Sequence, residues 1–78
     1  MTNKEKYNGA FIESLDIKED QVTGLVYQSV PSWDSVGHMG LVAAIEDTFD
    51  IQFETDDIVE FNSYDKGIEL LKKHGIEI

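Results

Sequence analysis

The sequence predicts an all-α fold: four helices, with a long loop between the first two and a short third helix. Three observations predict it. Tyr7, Phe11 and Leu15 recur at i, i+4 and i+8. Residues 35–49 carry a broad apolar arc. The last third holds two sharp helix starts, one after Phe53 and one at Ser63, and a Gly stop at position 75.

Each element follows in order. The segment from Lys4 to Leu15 puts Ala10 and Ser14 beside its aromatic stripe, which is one helical face. Asp16 to Trp33 contains Gly24 and Pro31 and has no helical period. Val22 to Val30 has some strand propensity, but a lone strand has no partner to pair with. This stretch is therefore read as a structureless loop whose Val22, Leu25 and Val30 tuck into the core, with Trp33 as its packing anchor. Ser35 to Phe49 is the strongest helix. Asp34 and Ser35 are both good N-caps, and Val36, Met39, Val42, Ala43, Ala44, Ile45 and Phe49 form the arc. Gly37 and Gly40 each cost about 1 kcal/mol relative to Ala inside a helix, so they call for a reason. Thr55 reads as the cap of a short helix to Phe61, with Asp56 and Asp57 complementing its dipole. Ser63 caps the last helix, Tyr64 to His74, whose final turn carries Lys72, Lys73 and His74. Leu41, Ile45, Phe49, Phe53, Ile58, Phe61, Tyr64 and Ile68 are assigned to the core first.

Residues 1–78 read as a single domain, because 78 residues hold one small core. Such a core supplies only about 3–5 kcal/mol. A formal net charge of −10 adds self-repulsion, so a marginal fold tightened by salt is expected. The charge also sorts the partners. All six basic residues are Lys, against sixteen Asp and Glu. A chain so acidic repels phosphate backbones and anionic lipid, so no nucleic acid and no membrane are expected as partners. It favours a basic protein partner met by steered encounter. There is no Cys, which excludes disulfides, thiolate metal sites and a Cys nucleophile. There is no apolar run long enough to span a bilayer and no secretory leader at Met1-Thr2-Asn3-Lys4, so a cytoplasmic location is expected.

Few residues are left to carry chemistry. His38 and His74 lack a second ligand at metal spacing, and Asp56-Asp57 does not fit a calcium loop. Ser35 and His38 share one helical turn, without an orienting group or an oxyanion donor set, so a hydrolase is a poor reading. Among five serines, Ser35 stands apart: it follows Trp33-Asp34 and opens the most apolar helix. Two readings fit it. It is an N-cap, or it is an exposed hydroxyl that bears a phosphate group at a helix N-terminus.

The segment Asp34-Ser35-Val36, followed by Leu41-Val42-Ala43-Ala44-Ile45-Glu46-Asp47-Thr48-Phe49-Asp50-Ile51, resembles the second helix of acyl carrier proteins. That family shows Asp-Ser-Leu, four variable residues, then Leu-Val-x-x-Leu-Glu-x-x-Phe, and the spacing matches without a gap. The resemblance covers roughly Trp33 to Leu71; the first thirty residues match in layout alone. It implies a four-helix acyl-carrier-like bundle, and a stand-alone acyl or aminoacyl carrier bearing a covalent 4′-phosphopantetheine arm, derived from coenzyme A, on Ser35, with Asp34 beside it. It implies a monomer without catalysis of its own. The arm's thiol holds thioester cargo. The implied partners are a phosphopantetheinyl transferase, which supplies Mg²⁺ and the base, and acyl- or aminoacyl-loading and processing enzymes with basic docking patches. Those partners would meet Val36, Met39 and Ala43 as an apolar patch, and Glu46, Asp47, Asp50 and Asp57 as acids. Gly37 and Gly40 stand where the family often has acids, just after Asp-Ser-Leu and again before Leu-Val, with His38 and Met39 between them. This departure resembles discrete bacterial carriers of secondary-metabolite, amino-acid-loading or surface-polysaccharide pathways. His38 is expected to be exposed rather than a phosphate contact. The alternative is an unmodified acidic helical adaptor with a carrier-like fold.

Overall fold

A computed structural model describes residues 2–78 and contains, among them, four α-helices and no strand. They are α1 (Asn3–Leu15), α2 (Ser35–Phe49), α3 (Thr55–Glu60) and α4 (Tyr64–Lys73), with a 3-10 turn at Glu19–Gln21. The all-α expectation holds, and the bounds of α2 are those expected. No helix of the described residues is long and apolar enough to cross a membrane.

Local chemistry sets the helix ends. Thr2 caps α1 reciprocally: the Glu5 N–H donates to Thr2 Oγ1 (3.1 Å) and the Thr2 N–H to Glu5 Oε1 (3.0 Å). The Thr2 N–H and the Thr2 hydroxyl (3.1 Å) both donate to the Glu5 carboxylate and hold it below its usual range. Three helices close in one way. Asp16, Asp50 and Gly75 adopt left-handed backbone (φ 52°, 53° and 81°), and the Ile that follows each donates back to the helix. The bonds run from Ile17 N–H to Ile12 O, from Ile51 N–H to Glu46 O, and from Ile76 N–H to Leu71 O. Each of these carbonyls also accepts from the C-cap N–H of its helix, so the Ile N–H is a second donor that pins the chain as it leaves the helix.

The core combines aromatic and aliphatic side chains. Tyr7, Phe11, Trp33, Phe53, Phe61 and Tyr64 are buried, with Leu15, Leu41, Ile45, Leu70 and Leu71 between them. Phe11 lies edge-on to Trp33 (ring centroids 5.5 Å apart) and to Tyr7 (5.0 Å). The Tyr7 hydroxyl donates to the Tyr64 carbonyl (2.6 Å), and burial pushes its phenol far up. Phe49, Ile58 and Ile68 are only half-buried, at the core's margin.

Two local expectations change. The segment from Asp16 to Trp33 is not structureless. Besides the 3-10 turn, Val26 forms an antiparallel bridge with Ser63. The Tyr27 N–H donates to Asn62 O and the Tyr64 N–H to Leu25 O, both at 2.8 Å. The partner that a lone strand lacked is the α3–α4 connection, which has no strand pattern of its own. Val22 and Leu25 are buried, Val30 half-buried, and Trp33 fully buried. At α3, the capping position is Glu54 rather than Thr55, and the Glu54 N–H donates to Asp57 Oδ2 (3.3 Å).

Candidate functional site at the start of α2

Asp34 is the N-cap of α2. Its Oδ1 accepts from the Gly37 N–H (2.9 Å), and its carbonyl accepts from the His38 N–H (2.8 Å). Ser35 is therefore the first helical residue rather than the cap. Its side chain is exposed, and its Oγ stands 3.4 Å from the Tyr27 hydroxyl. Gly37 has a geometric reason: a Cβ there would collide with the Ser32 carbonyl oxygen, so the loop runs directly over this turn. Gly40 meets nothing within 4 Å.

His38 is half-buried and fully committed, which corrects the expectation that it is exposed. The Trp33 indole N–H donates to His38 Nδ1 (3.0 Å). An indole nitrogen only donates, so Nδ1 carries a lone pair and the ring proton is on Nε2. That N–H donates to the Ile58 carbonyl (2.8 Å). One neutral imidazole thus ties the loop, α2 and α3 together. Neither ring nitrogen is available to Ser35 as a base.

Most of the expected docking residues share one outward stripe. Val36 is 82% exposed and Met39 56% exposed, and Ala43 follows one turn on. Ala43, Glu46, Asp47 and Asp50 then line a shallow open depression with Ile51 and Gln52. Asp47 and Asp50 are exposed. Glu46 is half-buried, and its Oε2 accepts from the Phe53 N–H (2.7 Å), so it also fixes the α2–α3 connection.

Asp57 does not belong to that surface. It is 4% exposed, and its carboxylate faces Lys73 Nζ (2.9 Å), in the last turn of α4, and Nε2 of His74 (3.4 Å), which caps that helix. The Lys73 hydrogen bond holds its carboxyl below the usual range, and the same pairing raises the Lys73 ammonium. Asp57 is a clasp between α3 and α4.

The sequence reading missed Tyr27, which sits in the loop and reaches Ser35 only through tertiary placement. It also missed Val59, an apolar residue of α3 that is 76% exposed. No group of three or more metal-ligating side chains is gathered among the described residues. Comparisons of the chain with known protein families, with curated proteins and with solved structures find no match.

Proposed function

We propose that the protein is a stand-alone acyl or aminoacyl carrier. In this reading Ser35 bears a 4′-phosphopantetheine arm, and the chain delivers thioester-bound intermediates between biosynthetic enzymes of a specialised pathway. One observation carries the reading. Ser35 is exposed at the tip of α2, its capping role is already filled by Asp34, and Val36 and Met39 lie uncovered beside it. A serine kept for its cap would not need that company. The gapless likeness of Asp34-Ser35-Val36 and Leu41–Ile51 to carrier proteins supports the same reading.

The residues present fit the group. Asp34 and its carbonyl use the N–H groups of Gly37 and His38, which leaves those of Ser35 and Val36 at the helix tip to face a phosphodiester. The open surroundings let a long arm leave towards solvent. The bound arm would supply the thiol that this cysteine-free chain lacks. In the attachment step, Ser35 Oγ attacks the β-phosphorus of coenzyme A. An Oγ–P bond forms, the pyrophosphate P–O bond breaks, adenosine 3′,5′-bisphosphate leaves, and the hydroxyl proton goes to a base on the transferase. An external base is needed, since both nitrogens of His38 are occupied. Asp47, Asp50 and the outer face of Glu46 would steer basic partner surfaces, and tethering raises the effective concentration of cargo at each partner.

The test is the intact mass after incubation with coenzyme A, Mg²⁺ and a broad-specificity phosphopantetheinyl transferase, followed by peptide mapping. One phosphopantetheine should appear on the peptide containing Ser35, and Ser35→Ala should take none while keeping its stability within about 0.5 kcal/mol, because Asp34 remains the cap. No gain by a folded chain that starts unmodified would favour an unmodified adaptor.

A further inference from the structure

Tyr27 is the residue outside α2 whose polar atom reaches Ser35. Its hydroxyl stands 3.4 Å from Ser35 Oγ, a contact too long for a strong bond between two hydroxyls and one in which either could donate. The ring beneath that hydroxyl is held on several sides. It lies edge-on to Trp33 (6.0 Å, 87°) and to His38 (5.6 Å, 73°), and its backbone N–H is bonded to Asn62 O (2.8 Å). His38 is itself fixed at both nitrogens, by the buried Trp33 indole and by the Ile58 carbonyl. The tyrosine is thus a preset donor on a rigid aromatic seat.

A phosphorus bonded to Oγ carries its free oxygens one bond further out, within reach of a hydroxyl that stands 3.4 Å from Oγ. A hydroxyl and a phosphoryl oxygen close to about 2.5–2.7 Å, so a gap left long between two hydroxyls suits the modified state better than the bare one. The need for a neutral donor is also local: neither Lys nor Arg occurs between residues 19 and 65, so no cation adjoins Ser35 in the sequence. We infer that Tyr27 is a positioning residue of the Ser35 site, whose hydroxyl donates to the phosphoryl group carried on Ser35 Oγ, held in place by His38 and Trp33. The inference rests on the proposed modification of Ser35, but its test does not need the transferase.

Phosphoserine placed at position 35 during translation presents the same Oγ–P bond. Its second ionisation falls near pH ~6 and is followed directly by ³¹P NMR. A donor that bonds the dianion lowers that midpoint. In Tyr27→Phe the midpoint should rise by about 0.3–1 pH unit, with the unfolding midpoint unchanged, because only an exposed hydroxyl is removed. His38→Gln should raise it as well, and should add nothing in the Tyr27→Phe background, since His38 acts through Tyr27. Equal midpoints in wild type and Tyr27→Phe, both folded, would overturn the inference. Transfer from coenzyme A is measured alongside: Tyr27→Phe should slow it about two- to tenfold. Failure of the wild type to accept the arm would count against the carrier reading alone, and leave the phosphoserine result standing.

Discussion

Helices α2 and α4 both border the same core, yet they use their apolar residues differently. In α4, Tyr64, Leu70 and Leu71 are buried, while Asp65, Glu69, Lys72 and Lys73 face water. Almost every apolar side chain there has a structural use. In α2, only Leu41, Val42 and Ile45 are buried, and Val36, Met39 and Ala43 face solvent on the opposite side. A helix that only had to fold would carry polar residues at those three positions. The surplus lies next to an exposed hydroxyl and runs into a row of acids. The difference teaches where selection for folding ends on this surface and where another demand begins.

The inner half of the comparison breaks with the largest effect. Trp33→Ala removes a fully buried indole and orphans His38 Nδ1. Its expected cost of about 3–5 kcal/mol equals the whole stability available to so small a core. Far-UV circular dichroism should show a largely unfolded chain at neutral pH, whereas Trp33→Phe should stay folded with reduced stability.

The α3–α4 clasp gives a smaller and pH-dependent effect. Asp57 has a folded-state pKa below its unfolded value. Its contribution is therefore present above the ordinary carboxylate range and is lost as pH falls through the folded value. Asp57→Asn should lower the Tm by about 5–10 °C at neutral pH. The gap to wild type should narrow as the pH falls through the carboxylate range, because acid then removes the same charge from both chains. A gap that stayed constant with pH would assign the effect to packing.

Much of this was legible in the sequence. The bounds of α2, the caps Asp34 and Ser63, the inward residues of α1 and the anchoring role of Trp33 all follow from spacing and capping chemistry, which are local. What escaped was set by distant partners. Asp57 reads as a dipole-complementing acid in a first helical turn, and nothing nearby shows that Lys73 and His74 return to cover it. His38 reads as a surface residue because its second partner is a backbone carbonyl twenty positions away. Val26 found its bridge in a segment with no strand pattern. Ser35 could be singled out, but that Asp34 alone caps the helix needed the geometry.

The smallest expected change in stability is also the decisive one. The double variant Val36→Ser, Met39→Ser removes the exposed apolar surplus of α2 and touches no core contact. The measurement is its urea unfolding free energy together with its kcat/KM as a substrate of the phosphopantetheinyl transferase. Stability should stay within about 0.5 kcal/mol of wild type, while kcat/KM falls about tenfold through lost docking contacts. A loss of stability with undiminished kcat/KM would contradict the account, since it would make the outward face of α2 part of the fold rather than a surface for partners.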